Sequence, residues 1–229
     1  MISKNQIKHI QSLHSKKNRE EQGLFIIEGI KLVTEFICHQ KFTIKEVFAT
    51  AEYLANHLDV LENNHVPYYE ISAEDLKKIS LQSSPNQALA IVKVCEQKLN
   101  FDTLKSSTTL YLDDLRDPGN LGTIIRIADW FGIHQVICSP NCTELYNPKT
   151  LQASMGAVLR VNVITQSFEE LLPKLANLHI YGALLNGKNI YTTELKNGLI
   201  VIGNEANGIS DSVLKHITHP ITIPAAINN

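Results

Sequence analysis

The run Asp113-Asp114-Leu115-Arg116-Asp117-Pro118-Gly119-Asn120-Leu121-Gly122-Thr123-Ile124-Ile125-Arg126-Ile127-Ala128 constrains this chain more than any other. It follows Thr109-Leu110-Tyr111-Leu112, a short apolar stretch of buried-strand character. Asp-Pro-Gly-Asn is turn chemistry, and the residues after it carry a helical pattern towards Phe131. A strand, a tight turn and a helix N-terminus in that order mark the place where open α/β sheets hold ligands. Arg126 falls on that helix among apolar neighbours, where a guanidinium needs an anionic partner or a task.

A second run narrows the first. Leu199-Ile200-Val201-Ile202 reads as a buried strand and ends in Gly203-Asn204-Glu205-Ala206-Asn207-Gly208-Ile209-Ser210. Its glycines and asparagines suit a sharp loop, and Ser210 or Asp211 can cap a following helix. The Gly-x-x-x-x-Gly spacing is not a phosphate loop, because Ile209 stands where such a loop needs lysine and Glu205 would repel a polyphosphate. No Gly-x-Gly-x-x-Gly occurs either. The loop suits a ligand with hydrogen-bonding edges and a positive centre.

The two runs together resemble the SpoU (TrmH-like) family of RNA ribose 2′-O-methyltransferases, of the SPOUT class. Asn120, Gly122 and Arg126 match the spacing of the family's first motif; Gly203, Asn204, Glu205 and Gly208 match its second; Ile223-Pro224 opens its third. The third motif continues in the family to Ser-Leu-Asn and a final helix, whereas this sequence ends Ala225-Ala226-Ile227-Asn228-Asn229. Ser15-Lys16-Lys17-Asn18-Arg19 and Gly23-Leu24-Phe25-Ile26-Ile27-Glu28-Gly29 resemble the opening of the family's substrate-binding domain.

The resemblance implies an α/β chain in three parts: a small RNA substrate-binding domain over 1–97, a linker over 98–107, and a SpoU-type parallel-sheet domain over 108–229. It implies a C-terminal trefoil knot, expected to be incomplete if the chain stops here. It makes S-adenosylmethionine the cofactor, RNA the substrate (ribosomal ahead of transfer RNA), and a homodimer the working form. Arg126, Asn120 and Glu205 become the catalytic residues, and Leu184, Gly203, Asn204, Gly208 and Ile223 the donor-binding ones. Ser154-Met155-Gly156-Ala157 resembles a segment lying near the substrate pocket, and Ala183-Leu184-Leu185 one that walls the adenine. The family's arginine is proposed to activate the ribose hydroxyl; orienting a phosphate and stabilising the developing alkoxide is physically easier for a group charged at neutral pH.

Each residue also has a plainer reading. Arg126 could be held by Asp129 or Glu205 in a structural ion pair. Asn120 and Asn204 could be turn residues, and Glu205 a partner of a helix dipole. Ile125, Trp130, Phe131, Leu214 and Ile217 could form the subunit interface or fill the core.

Composition limits the alternatives. Net charge is −2 with pI near 6.5, so any RNA contact must be local. Residues 1–19 provide a patch: Lys4, Lys8, Lys16, Lys17 and Arg19 with His9 and His14, and no acid. Lys16, Lys17 and Arg19 are its candidate RNA contacts, against a solvated helix face. No apolar run reaches membrane-helix length, and Cys38, Cys95, Cys138 and Cys142 form neither a disulfide framework nor a zinc pattern. A reduced, metal-free cytoplasmic protein is expected. Two other classes stay open: a non-catalytic RNA-binding protein of the same fold, and a small-molecule α/β enzyme using the same cleft.

Overall fold

A computed structural model describes residues 2–225, so Ala226 to Asn229, where the third motif should continue, lie outside the described residues. In chain order the elements are α1 (Lys4–Ser12), α2 (Lys16–Gln22), β1 (Leu24–Glu28), α3 (Ile30–His39), β2 (Ile44–Ala49), α4 (Ala51–Asn63), β3 (Tyr68–Glu70), α5 (Ala73–Ile79) and β4 (Ala88–Lys93). There follow α6 (Phe101–Ser106), β5 (Thr109–Leu112), α7 (Pro118–Trp130), β6 (Gln135–Cys138), α8 (Pro148–Ser154), β7 (Asn162–Thr165), α9 (Phe168–Leu171), β8 (His179–Asn189), β9 (Gly198–Ile202), α10 (Asp211–Leu214) and β10 (His219–Thr222). The chain divides into two compact units. One comprises the residues up to Glu96 with Leu145–Leu159, the other Gln97–Glu144 with Arg160 onward.

The first unit is built on a four-stranded sheet of order β1-β4-β2-β3. Strands β1 and β4 bury nearly every residue, so the sheet is covered on both faces. Ile10, Leu13, Leu76 and Ile79 pack with Ile26, Phe48 and Leu89 in one core. A separate aromatic cluster joins Phe25, Phe36 and Phe42 to Tyr146, whose ring stacks on Phe25 with centroids 4.5 Å apart. The Tyr146 hydroxyl donates to the carbonyl of Cys95 at 2.8 Å. The segment around α8, expected in the second domain, therefore completes the core of the first unit.

Side-chain caps fix the helix starts. Ser3 and Gln6 form a reciprocal capping box, and Ser72 caps α5 through Asp75 N–H at 3.1 Å. Helix α1 ends at Ser12, and Leu13–Ser15 separate it from α2. The break is held by Arg19, whose Nη1 donates to the carbonyls of Leu13 and His14, both at 2.8 Å. With 3 % of its surface exposed, Arg19 cannot be the RNA contact that the basic run suggested. Its charge is spent on carbonyls left over at the end of α1. Lys16 and Lys17 are exposed, each within 4 Å of a glutamate one turn on, Glu20 and Glu21. Exposed pairs of this kind contribute little.

The second unit is a six-stranded, wholly parallel sheet of order β10-β8-β9-β5-β6-β7. Its central strand β5 is buried at every position, as expected for a strand covered on both faces. Tyr111, Ile137, Phe168, Leu171, Leu199 and Val201 lead its core. The stretch expected as a linker holds α6, capped by Asn100 and anchored by the fully buried Leu104. Ile125 is also core, not interface, whereas Trp130 and Phe131 are 85 % and 73 % exposed. Helix α7 begins inside the stretch read as a turn, at Pro118. Asp117 is its N-cap, accepting from Asn120 N–H at 2.7 Å, and Pro118 fills the first helical position, where its missing N–H costs nothing.

Candidate active site

Strands β5 and β9 are parallel neighbours, with Leu112 opposite Ile202, so the two motif loops leave the sheet side by side. There the loops are joined: Asn120 Nδ2 donates to Glu205 Oε1 at 2.7 Å. Both side chains are exposed, so the pair is open to a ligand.

The second loop is closed on itself. Asn204 and Gly208 exchange backbone hydrogen bonds, each 2.9 Å. Asn204 Oδ1 accepts from the N–H groups of Ala206 and Asn207, while its Nδ2 donates to the Asp114 carbonyl at 2.8 Å. Asn204 is thus the loop's internal brace. Gly203 is required by space: a Cβ there would lie 2.2 Å from the Gly208 carbonyl carbon and 2.3 Å from Ile209 N. Gly208 is required by conformation, at φ +71°.

The other expected donor residues lie on neighbouring strands, since β8 is flanked by β9 and β10. Leu184 is half-buried against the core of the unit, within β8. Pairing with β10 jumps there, from Gly182↔Pro220 to Lys188↔Ile221, so residues 183–187 loop out of register. Ile223 follows β10 and is 71 % exposed. These residues therefore lie on or directly after the adjacent parallel strands β10, β8 and β9. The backbone of the Gly203 loop approaches itself too closely for any side chain.

Arg126 lies on α7 six residues beyond Asn120, about 9 Å along the axis, and is exposed. Three residues on, Asp129 accepts Arg160 bidentately at 2.7 to 3.0 Å. Ser154-Met155-Gly156-Ala157 lies in the first unit, where Met155 and Gly156 end α8 at positive φ. Among the described residues no group of His, Cys, Asp or Glu is arranged for a metal ion, and no helix is long and apolar enough to cross a membrane.

Sequence reasoning missed the supports beneath the first loop. Asp114 takes φ +56° and its N–H donates to Ser139 Oγ at 2.9 Å. The Leu115 N–H donates to Cys142 Sγ at 3.3 Å, and Thr143 N–H to the Leu115 carbonyl at 2.8 Å. A hydrogen bond with Cys138, outweighing the upward push of burial, lowers the Cys142 thiol to about 7. Burial and then the Asp113 charge push the Tyr111 phenol well above its usual range, keeping it neutral. Asp-Asp before a turn was the one sequence signal for this layer, and it names no partner.

A parallel sheet of this order, with two polar loops meeting beyond β5 and β9, has the architecture of the SPOUT class. A profile of the SpoU rRNA Methylase family matches residues 107–229, more than half of the sequence, and the chain belongs to that family. Residues 4–90 match the MRM3-like substrate binding domain. Among curated relatives, the 23S rRNA (guanosine(2553)-2′-O)-methyltransferase RlmP of Bacillus subtilis is 26 % identical, over 97 % of this chain and 88 % of its own length. A TrmH-family structure from Porphyromonas gingivalis is 33 % identical, with TM-score 0.85 over 100 % of this chain and 91 % of that one. An AdoMet-bound rRNA methyltransferase from Sinorhizobium meliloti shares the fold, with TM-score 0.85 at 24 % identity over 100 % and 89 % of the two chains.

The two loop glycines should respond differently to alanine. Gly203→Ala drives a Cβ into backbone and is expected to cost about 1–3 kcal/mol. Gly208→Ala, with nothing within 4 Å, pays only the left-handed penalty of about 1 kcal/mol. Urea unfolding midpoints check the order; an equal or larger loss at Gly208 would show that close approach does not govern the loop.

Proposed function

We propose that this protein transfers a methyl group from S-adenosylmethionine to a ribose 2′-hydroxyl in RNA, with ribosomal RNA as substrate. The observation that carries the reading is the 2.7 Å bond between Asn120 and Glu205, which joins the two motif loops at the carboxyl edge of the sheet. The rRNA names of the relatives favour ribosomal over transfer RNA.

When bound, the donor supplies a methyl carbon made electrophilic by its sulfonium. Leu184, the Gly203–Gly208 knuckle and Ile223 are the residues to hold it, through apolar contact and backbone groups. Asn120 and Glu205 fix each other, so neither swings when the RNA arrives. Arg126 is assigned to the ribose and its phosphate, with a planar fork that grips a phosphate and steadies charge growing on the 2′-oxygen. Orientation of the hydroxyl towards the methyl carbon supplies most of the rate.

The first unit is assigned to RNA recognition, with Lys16 and Lys17 as contacts and Arg19 as the brace beneath them. The exposed Trp130 and Phe131 at the end of α7 support a homodimer closed about a two-fold axis. Four cysteines outside any disulfide fit a reducing cytoplasm.

Arg126→Ala is expected to lower methyl transfer by at least about a hundredfold, some 2.7 kcal/mol in barrier, with donor affinity unchanged. Radiolabel transfer to ribosomal RNA and calorimetry with S-adenosylmethionine measure the two. Transfer within tenfold of wild type would remove Arg126 from catalysis.

Reversing Lys16 and Lys17 to Glu should weaken RNA binding and flatten its log–log salt dependence by about 0.7–0.9 for each phosphate that is no longer neutralised. Arg19→Ala should instead lower stability by about 2–3 kcal/mol, since two charged hydrogen bonds go. An unchanged salt slope in the lysine variant refutes the RNA contact.

Sedimentation at micromolar concentration should give twice the 25.6 kDa chain mass, and Trp130→Glu should shift it to the monomer. A wild-type monomer would oppose the dimer.

A further inference from the structure

Two consecutive residues at the carboxyl end of β5 grip the second loop at both of its ends. At the start, the Asp114 carbonyl accepts Asn204 Nδ2 at 2.8 Å. At the end, Asp113 Oδ2 accepts the backbone N–H of Ser210 at 2.8 Å, from a position 97 residues away in sequence. Asp113 N–H extends the β5–β9 ladder by one bond, to the Ile202 carbonyl at 2.8 Å. The left-handed turn at Asp114 then turns its carbonyl to meet Asn204. One dipeptide thus holds the loop at its first and last backbone turns.

The cost of this arrangement argues for a purpose. Asp113 is only 6 % exposed, and a carboxylate taken out of water is destabilising unless its hydrogen bonds repay it. It lines a cavity of about 370 Å³ together with Tyr111, Asp114, Ser139 and Glu169. Ser210 is the N-cap of α10, yet its own side chain caps nothing. The acceptor for its own amide is Asp113, the residue that follows β5. Between the two grips lies the Asn204–Gly208 knuckle, closed by its own hydrogen bonds and so able to pivot only as one piece. Glu205 rides on that piece.

We propose that Asp113 is a positioning residue: its carboxylate clamps the far end of the Gly203–Ser210 loop and so sets Glu205 against Asn120. The inference rests on the functional reading above only in taking this loop to carry the donor. With the clamp open, the knuckle pivots about its Asn204 end. Donor affinity then suffers while the buried sheet stays intact.

A double-mutant cycle tests it. Asp113→Ala removes the acceptor. Ser210→Pro removes the donor N–H, at a residue whose φ of −64° and ψ of 150° proline can adopt. Asp113→Asn keeps an oxygen that can accept the same N–H. The readouts are hydrogen exchange at the Ser210 amide for every variant except the proline ones, calorimetric affinity for S-adenosylmethionine, donor KM and melting temperature.

Asp113→Ala is expected to speed exchange at Ser210 and to weaken donor binding, each by about tenfold, the worth of one such bond. Ser210→Pro should match that loss of affinity, the double variant should be no worse than either, and Asp113→Asn should stay within about threefold of wild type. A change confined to melting temperature, with affinity and KM unmoved, would make Asp113 a structural residue and overturn the proposal. So would additive losses in the cycle, or an Asp113→Asn variant as defective as Asp113→Ala. If the wild-type protein binds donor but methylates no RNA, the functional reading fails while the affinity cycle and the exchange rates still decide the clamp. If it binds no donor, the exchange rates alone decide it, and unchanged exchange in Asp113→Ala overturns it.

Discussion

Everything at the candidate site depends on the parallel pairing of β5 with β9. These strands are about ninety residues apart in sequence, and their register sets Leu112 beside Ile202. A parallel pair sends both chain exits to the same edge, so the loops after Leu112 and after Ile202 emerge together. A slip of one residue would turn each side chain to the opposite face and bring the wrong residues to the edge. Burial on both faces holds that register: all four β5 residues are buried, and Leu199 and Val201 of β9 join the same core. The polar groups at the edge rest on an apolar ladder that is buried in the core.

The loops themselves show how much stability is committed to fixing a few atoms. Asn204 spends its side chain within its own neighbourhood, on two amides of the loop and one carbonyl of the strand beside it. Gly203 exists for what it lacks. Ser139, Cys142 and Thr143, from the loop after β6, prop the first turn from below. Asn120 and Glu205 are exposed, yet each is attached to a loop braced in this way and is hydrogen-bonded to the other.

Much of this was legible in the sequence because it was local. The strands β5 and β9 fall on the expected runs, β9 with Gly198 added, and the turn chemistry of both loops follows from Asp, Pro, Gly and Asn alone. The residual errors come from long-range contacts. Nothing in Ser15-Lys16-Lys17-Asn18-Arg19 distinguishes the arginine that turns inward from the lysines that stay outside, because its partners are carbonyls exposed only when α1 ends at Ser12. The polar stretch before β5 hides a helix because one leucine, Leu104, carries its anchoring. Asp113 reads as a turn residue, since its partner amide is 97 positions downstream.

The return of Leu145–Leu159 to the first unit has a consequence for how such a protein is made. With Tyr146 stacked on Phe25, the N-terminal unit lacks part of its aromatic cluster until residues far beyond its sheet have left the ribosome. By then β5, α7 and β6 of the other unit have already been synthesised. Neither unit is a beads-on-a-string module that can finish before the next begins, as successive domains usually do during synthesis. The two are interleaved in time as well as in sequence. A recombination event cutting once between Glu96 and Gln97 would deliver an N-terminal piece missing one wall of its aromatic cluster.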